Sequence, residues 1–266
     1  MLKDLETMNG EVEYGTLKQL LDEWFRSYVD RFRDDNGTLS PPLELKRLHS
    51  LRVADNARLI AIALNLPERE RCLAEAAGLV HDAGRFPQYA EFGSFRDADT
   101  VDHGAYGRKV LAREDIGRRF LESDWNNILC AVEYHNRLAS DVPGGLDAEQ
   151  RRTLDIVQDA DKLDIMELVL RSVVDDGFSE LPSMLPQISL NREISGTVLK
   201  EALEMKAVNI EKLATLGDFL VMLATWFYDF RFEQARRLVV ERRIPDRVRE
   251  ELPDLPGVDR LFVGMV

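Results

Sequence analysis

The spacing of apolar residues along this chain is helical almost throughout. Between residues 15 and 34, Leu17, Leu20, Leu21, Trp24, Phe25, Tyr28 and Phe32 recur three and four apart, which predicts an amphipathic helix. Asp34-Asp35-Asn36-Gly37 breaks it, and Ser40-Pro41-Pro42 starts the next, with proline in the first turn, where its missing N–H has no helical partner to lose. That helix runs to about Leu66, and Pro67 opens another that ends near Gly84.

Residues 85–101, RFPQYAEFGSFRDADTV, are rich in aromatics, Gly and Asp without a period, and they are expected to form a long loop. Helices are expected over about 102–113, 115–121 and 123–137, a loop at 138–146 around Pro143-Gly144-Gly145, and a long helix over about 147–175. Residues 176–195 hold Gly177, Pro182 and Pro186 and read as irregular. Two further helices, about 196–214 and 216–242, carry Leu199, Leu203, Phe219, Leu223, Trp226, Phe227 and Phe230, and short helical pieces follow from Pro245. No stretch alternates as a strand would, so the predicted class is all-α.

The 266 residues, 45% hydrophobic, suffice for one large domain. The net charge of -13 excludes the basic footprint needed for long nucleic acid, though not a small phosphorylated substrate. No run approaches the roughly 18 apolar residues of a membrane span, so no membrane partner is expected. The opening MLKDLETMNGEVEYG lacks a signal-peptide pattern. Cys72 and Cys130 lie inside helical patterns and read as reduced core thiols of a cytoplasmic protein. The arginines between 236 and 249 alternate with glutamates, as on a solvated face. The terminal helices complete the core or form a homodimer contact, and their apolar stripes do not separate the two.

The candidate chemistry lies in the histidines. The chain has four, His49, His81, His103 and His135. His81 follows Gly78, Ala77 and Ala74 by three, four and seven residues, and His135 follows Val132, Ala131 and Ile128 at the same offsets. His49 shares a stripe with Leu45, Leu48, Val53 and Ile60, and Asp161 falls between Leu154 and Val157 on one side and Ile165 and Leu168 on the other. Residues three and four apart share a helix face, so these polar groups point where core side chains point. His103 begins a helix, with Gly107 one turn on leaving room for close approach. A lone histidine on an apolar face is ordinarily a satisfied core residue. Every histidine in the chain so placed, with Asp82 and Asp161 beside them, reads instead as a set of metal ligands.

HSLRVA at 49–54, HDAGRF at 81–86 and DADKLD at 159–164 together resemble the HD-domain superfamily of metal-dependent phosphohydrolases. The resemblance covers about residues 40–175 and maps the family motif onto His49, His81, Asp82 and Asp161. Its two-metal members add two histidines, which fall here on His103 in DHGAYG and His135 in EYHN. The resemblance implies an HD-domain helical bundle with extra N- and C-terminal helices. It also implies two divalent ions (Mn, Fe, Co, Ni or Zn) bridged by Asp82. The predicted organisation is one domain over 1–266, with the HD core at about 40–175 and a helical extension at about 196–266. The Gly-Tyr-Pro signature of the cyclic-dinucleotide branch is missing, and Asn136 stands where that branch has another histidine.

Such a site would hydrolyse a phosphate ester of a small substrate, most plausibly a nucleotide, through a metal-bound hydroxide. Three cations are candidates for the charge of the transition state. Arg52 lies one turn after His49, Arg85 three residues after the His-Asp pair, and Lys162 beside Asp161. The loop after Arg85 would act as a lid, with Gln88, Tyr89, Phe92 and Phe95 facing a base or sugar. Asp164, one turn after Asp161, fits either a role behind the ligands or the helix surface. Two other functions are open to the same residues. One is a di-iron oxygenase acting on a polyol or phosphonate, and the other is a non-enzymatic binding protein.

Overall fold

The computed structural model describes residues 14–265 other than 180, 182–184 and 186. The chain divides into two compact units, Met1–Asp161 and Lys162–Val266. Among the described residues there is no strand, only an isolated bridge between Ser189 and Thr215, so the all-α class holds. No helix among them is long and apolar enough to cross a membrane.

The first unit is built on α1 (Tyr14–Asp30), α2 (Pro41–Ala63), α3 (Glu68–Val80), α4 (Arg85–Phe92), α5 (His103–Leu111), α6 (Glu122–Tyr134) and the start of α7 (Ala148–Asp176). Helix α3 is its centre, packed against α1, α2 and α6, while α5 lies on α6. Helix α1 buries Leu17, Leu21, Phe25, Tyr28 and Val29, so the N-terminal helix completes this core. Phe25, Tyr28 and Phe86 meet edge to face at 5.8–6.1 Å. The Tyr28 hydroxyl donates to the Ala83 carbonyl at 2.7 Å, which pins the turn between α3 and α4. Cys72 and Cys130 are free and buried.

The second unit holds the rest of α7 with α8 (Gly196–Met205), α9 (Leu216–Thr225), α10 (Glu233–Glu241) and α11 (Ile244–Glu251). Every residue of α9 is buried, and it packs on α8 and α11.

Several boundaries differ from the sequence reading, for local reasons. Residues 85–92 are helix α4 and not loop. Pro87 falls in its first turn, where proline starts a helix as readily as it breaks one, and Gly93 closes it in the left-handed region at φ 66°. Residues 115–119 form a 3-10 turn and not an α-helix. The helix expected over 196–214 stops at Met205, because Lys206 adopts a left-handed conformation, φ 56°. The one expected over 216–242 is broken, with a 3-10 turn at Trp226–Asp229 and extended backbone at Phe230. On α2 the buried stripe runs through His49, Val53, Ala57 and Ile60, whereas Leu45 and Leu48 are exposed. Asp164 is fully buried, which removes the surface reading.

Candidate metal centre

All six predicted ligands come together in the first unit. His49 lies in mid-α2, His81 and Asp82 in the turn after α3, His103 at the first position of α5, His135 just after α6, and Asp161 in mid-α7. The four histidines and Asp82 are buried, and Asp161 is half-buried. The close approach of α5 is set by glycine. A Cβ on Gly84 would collide with the His103 carbonyl oxygen and the Gly107 amide nitrogen, so only glycine lets the start of α5 lie against the His-Asp turn.

Asp82 sits in the middle of the ligands. Its Oδ2 is 3.6 Å from the Nε2 atoms of both His49 and His81, while its Oδ1 is 3.5 Å from His103 Nε2 and 3.7 Å from His135 Nε2. Asp161 Oδ1 lies 3.0 Å from His49 Nε2 and 3.8 Å from His81 Nε2. Three groupings of these atoms are close enough to share a cation: His49, His81 and Asp82; His81, His135 and Asp161; and Asp82, His103 and His135.

The protonation pattern tests whether a cation fits. His81 Nδ1 is 2.7 Å from the Gly78 carbonyl and His135 Nδ1 is 2.8 Å from the Val132 carbonyl. A carbonyl only accepts, so each Nδ1 carries the proton, and in the neutral ring each Nε2 presents a lone pair. His103 Nδ1 is held in the same way by the Asp97 carboxylate at 2.5 Å. His103 Nε2 and His135 Nε2 are therefore both bare, yet they stand 3.0 Å apart. His81 and His49 approach similarly, at 3.2 Å between Nε2 atoms. Two nitrogens bound about 2.1 Å from one ion in tetrahedral geometry are about 3.4 Å apart, close to both separations. Asp161 Oδ1 is also buried without a hydrogen-bond partner. Facing lone pairs and an orphaned carboxylate oxygen repel one another unless a cation lies among them, so the donor set fits divalent metal.

The charge states agree. Burial drags the His81 imidazole down to about 3, and burial likewise lowers His103 against the pull of Asp97. Both rings are neutral near pH 7, as metal ligation requires. Burial alone would raise the Asp82 carboxyl. The Lys46 ammonium heads the charges that overcome it and hold Asp82 well below the carboxylate range.

The cations are distributed differently from expectation. Arg85 Nη1 donates to Phe95 O, Asp97 Oδ1 and Gln88 Oε1 at 2.6–2.8 Å. Its Nε is buried without a hydrogen-bond partner, 3.6 Å from Asp82 Oδ1. Arg52 is half-buried on α2, one turn beyond His49. The Lys162 ammonium lies 3.2 Å from Asp229 and over the Phe230 ring. Lys46, not foreseen, puts its ammonium 2.7 Å from Asp82 Oδ2. It was legible in principle, since it lies three residues before His49 as Arg52 lies three after. Asp97 was also missed, and an acidic residue in an irregular segment gives almost no sequence signal. Of the expected lid residues, Gln88 is fully buried, and its amide donates to Asp97, Thr100 and Val101. Tyr89 and Phe95 pack on each other at 4.8 Å, and Phe92 is exposed.

A family model for the HD domain matches residues 48–166, an interval that contains all six candidate ligands. No curated protein and no solved structure gives a match. HD domains are typically metal-dependent hydrolases that bind divalent ions. With the motif order, the helical fold and the matched region in agreement, residues 48–166 of the chain form an HD domain.

Proposed function

We propose that this protein is a metal-dependent phosphohydrolase that holds two divalent ions on its six His and Asp side chains and cleaves a phosphate ester of a small substrate, a nucleotide in the first instance. The observation that carries this reading is the division of Asp82. One carboxylate oxygen faces His49 and His81, and the other faces His103 and His135. A carboxylate so placed would serve two ions at once. Imidazole and carboxylate suit manganese, iron, cobalt, nickel or zinc. When bound, the ions supply a nucleophilic water at neutral pH and polarise the phosphoryl oxygens.

The remaining work falls to the chain's own groups. Backbone carbonyls and Asp97 keep the Nε2 lone pairs of His81, His135 and His103 turned inward. The Lys46 ammonium and the unpartnered Arg85 Nε flank Asp82. These two cationic donors suit the charge that spreads over the equatorial oxygens in phosphoryl transfer. Lys162 is committed to Asp229, which makes Lys46 the better candidate for that role. The net charge of -13 favours a small anionic substrate over a polyanion.

The test is phosphate release from a panel of nucleotides by protein reconstituted with manganese, with and without chelator. Metal-dependent release from at least one nucleotide is expected. A protein that carries two ions, releases no phosphate across the panel, and consumes oxygen with iron and a polyol or phosphonate would overturn the hydrolase reading.

A further inference from the structure

His81 and His135 are oriented by carbonyls three residues back in the chain, so local helix geometry fixes their tautomers. His103 is the first residue of α5 and has no preceding helical turn to do this. Its Nδ1 is held from outside the helix, by Asp97. The Asp97 Oδ2 also lies 3.4 Å from the His103 backbone nitrogen and 3.4 Å from Asn136 Nδ2. Its other oxygen, Oδ1, accepts from Arg85 Nη1 at 2.7 Å and from Gln88 Nε2 at 3.1 Å. Gln88 in turn holds Thr100 and Val101, and Arg85 holds the Phe95 carbonyl. One carboxylate thus joins an imidazole of the centre to the segment 94–101 and to α4.

We propose that Asp97 is a positioning residue for the half of the centre formed by Asp82, His103 and His135, and that this half takes up its ion only with the segment 94–101 seated on α4. The inference rests on the two-ion reading above. Its physical basis is the role of a carboxylate behind a metal-binding imidazole. Such a group selects the tautomer, fixes the ring and raises the basicity of the ligating nitrogen. Without Asp97, the His103 Nδ1 proton is left beside the Asn136 amide at 3.4 Å in place of a carboxylate, and the ring is freer to present either nitrogen. On the other side of Asp82, His49 and His81 lie beside Asp161, and His81 takes its tautomer from the Gly78 carbonyl.

Manganese titration of the full chain, with bound ion counted by elemental analysis, tests this, together with hydrogen exchange of the 94–101 amides. The wild type should bind two ions. Asp97→Ala should bind the first with unchanged affinity and the second about 10- to 100-fold more weakly. The near-isosteric Asp97→Asn, which keeps an acceptor oxygen, should fall between them, and it carries the test if the alanine variant folds poorly. Manganese should protect the 94–101 amides in the wild type and not in Asp97→Ala. In a wild type that binds two ions, equal loss of both ions, or no change in either, overturns this inference alone. A wild type that binds fewer than two ions overturns the two-ion reading along with it.

Discussion

Each of the two units buries an aspartate carboxylate, and each satisfies it differently. In the second unit Asp218 is fully buried at the start of α9. Its Oδ1 accepts from the Ser195 backbone N–H at 2.7 Å, and its Oδ2 accepts from the Ser195 hydroxyl at 2.7 Å and the Ala214 N–H at 3.1 Å. Thr215 caps the Asp218 amide. Every contact is with a donor of the chain itself, so the carboxylate is complete as it stands. In the first unit Asp82 is only 2% exposed and meets the Lys46 ammonium on Oδ2, yet four imidazoles present ring nitrogens around it. Burial alone therefore does not mark a functional carboxylate. The distinction lies in what faces it, because donors make a structural joint and lone pairs make a place for a cation.

The largest expected effect breaks the comparison at its centre. Asp82→Ala should lose both ions and at least about a thousandfold in turnover, since a metal centre supplies several kcal/mol of transition-state stabilisation. His103→Ala, by contrast, should lose mainly one ion. Equal metal loss in the two variants, counted by elemental analysis, would contradict the bridging role.

Asp218→Ala should show the opposite profile. Loss of hydrogen bonds to a buried charge predicts destabilisation of about 3 kcal/mol in denaturant unfolding, with the ion content of the folded protein unchanged. A change in ion content would blur the contrast between structural and functional carboxylates.

Removal of metal sharpens the same point thermodynamically. Each ion bound only by the folded chain should stabilise it by about 2.7 kcal/mol at a hundredfold excess over its Kd. Chelator should lower the melting temperature of the wild type and of Asp218→Ala, and leave that of Asp82→Ala unmoved.

A smaller effect is expected at Lys46. Lys46→Met should keep both ions while kcat/KM on the true substrate falls roughly tenfold, the cost of one charge-assisted contact. Unchanged kinetics would leave Lys46 as a counter-ion of Asp82 alone.

The smallest effect concerns the thiols. Burial raises both Cys72 and Cys130 to about 11. Between about pH 9 and 11 the folded state then binds more protons than the unfolded chain, so stability should decline as pH rises through that window. In native protein at pH 8 both thiols should resist alkylation.

The histidines and aspartates of the centre were readable because their helices are. The offsets of His81 from Gly78, Ala77 and Ala74 state a helix face directly, and His135 repeats them. Residues that act through irregular backbone were not readable in this way. Asp97 reaches His103 only because the segment after Gly93 folds back on α4. Residues 85–101 were expected as loop for their aromatics, Gly and Asp, yet Pro87 falls in the first turn of a helix that Gly93 closes. The choice between these readings depends on the burial of Phe86 and Gln88, a tertiary fact. The interruption of the apolar run at 226–232 has the same character, since apolar spacing does not reveal where backbone hydrogen bonding changes register.

The central claim is that six side chains of this chain form one centre for two divalent ions. The most direct measurement is elemental analysis of the purified protein after reconstitution with manganese or iron and removal of free ion. The account predicts close to two ions per chain. A well-folded protein that stays empty after reconstitution would contradict it.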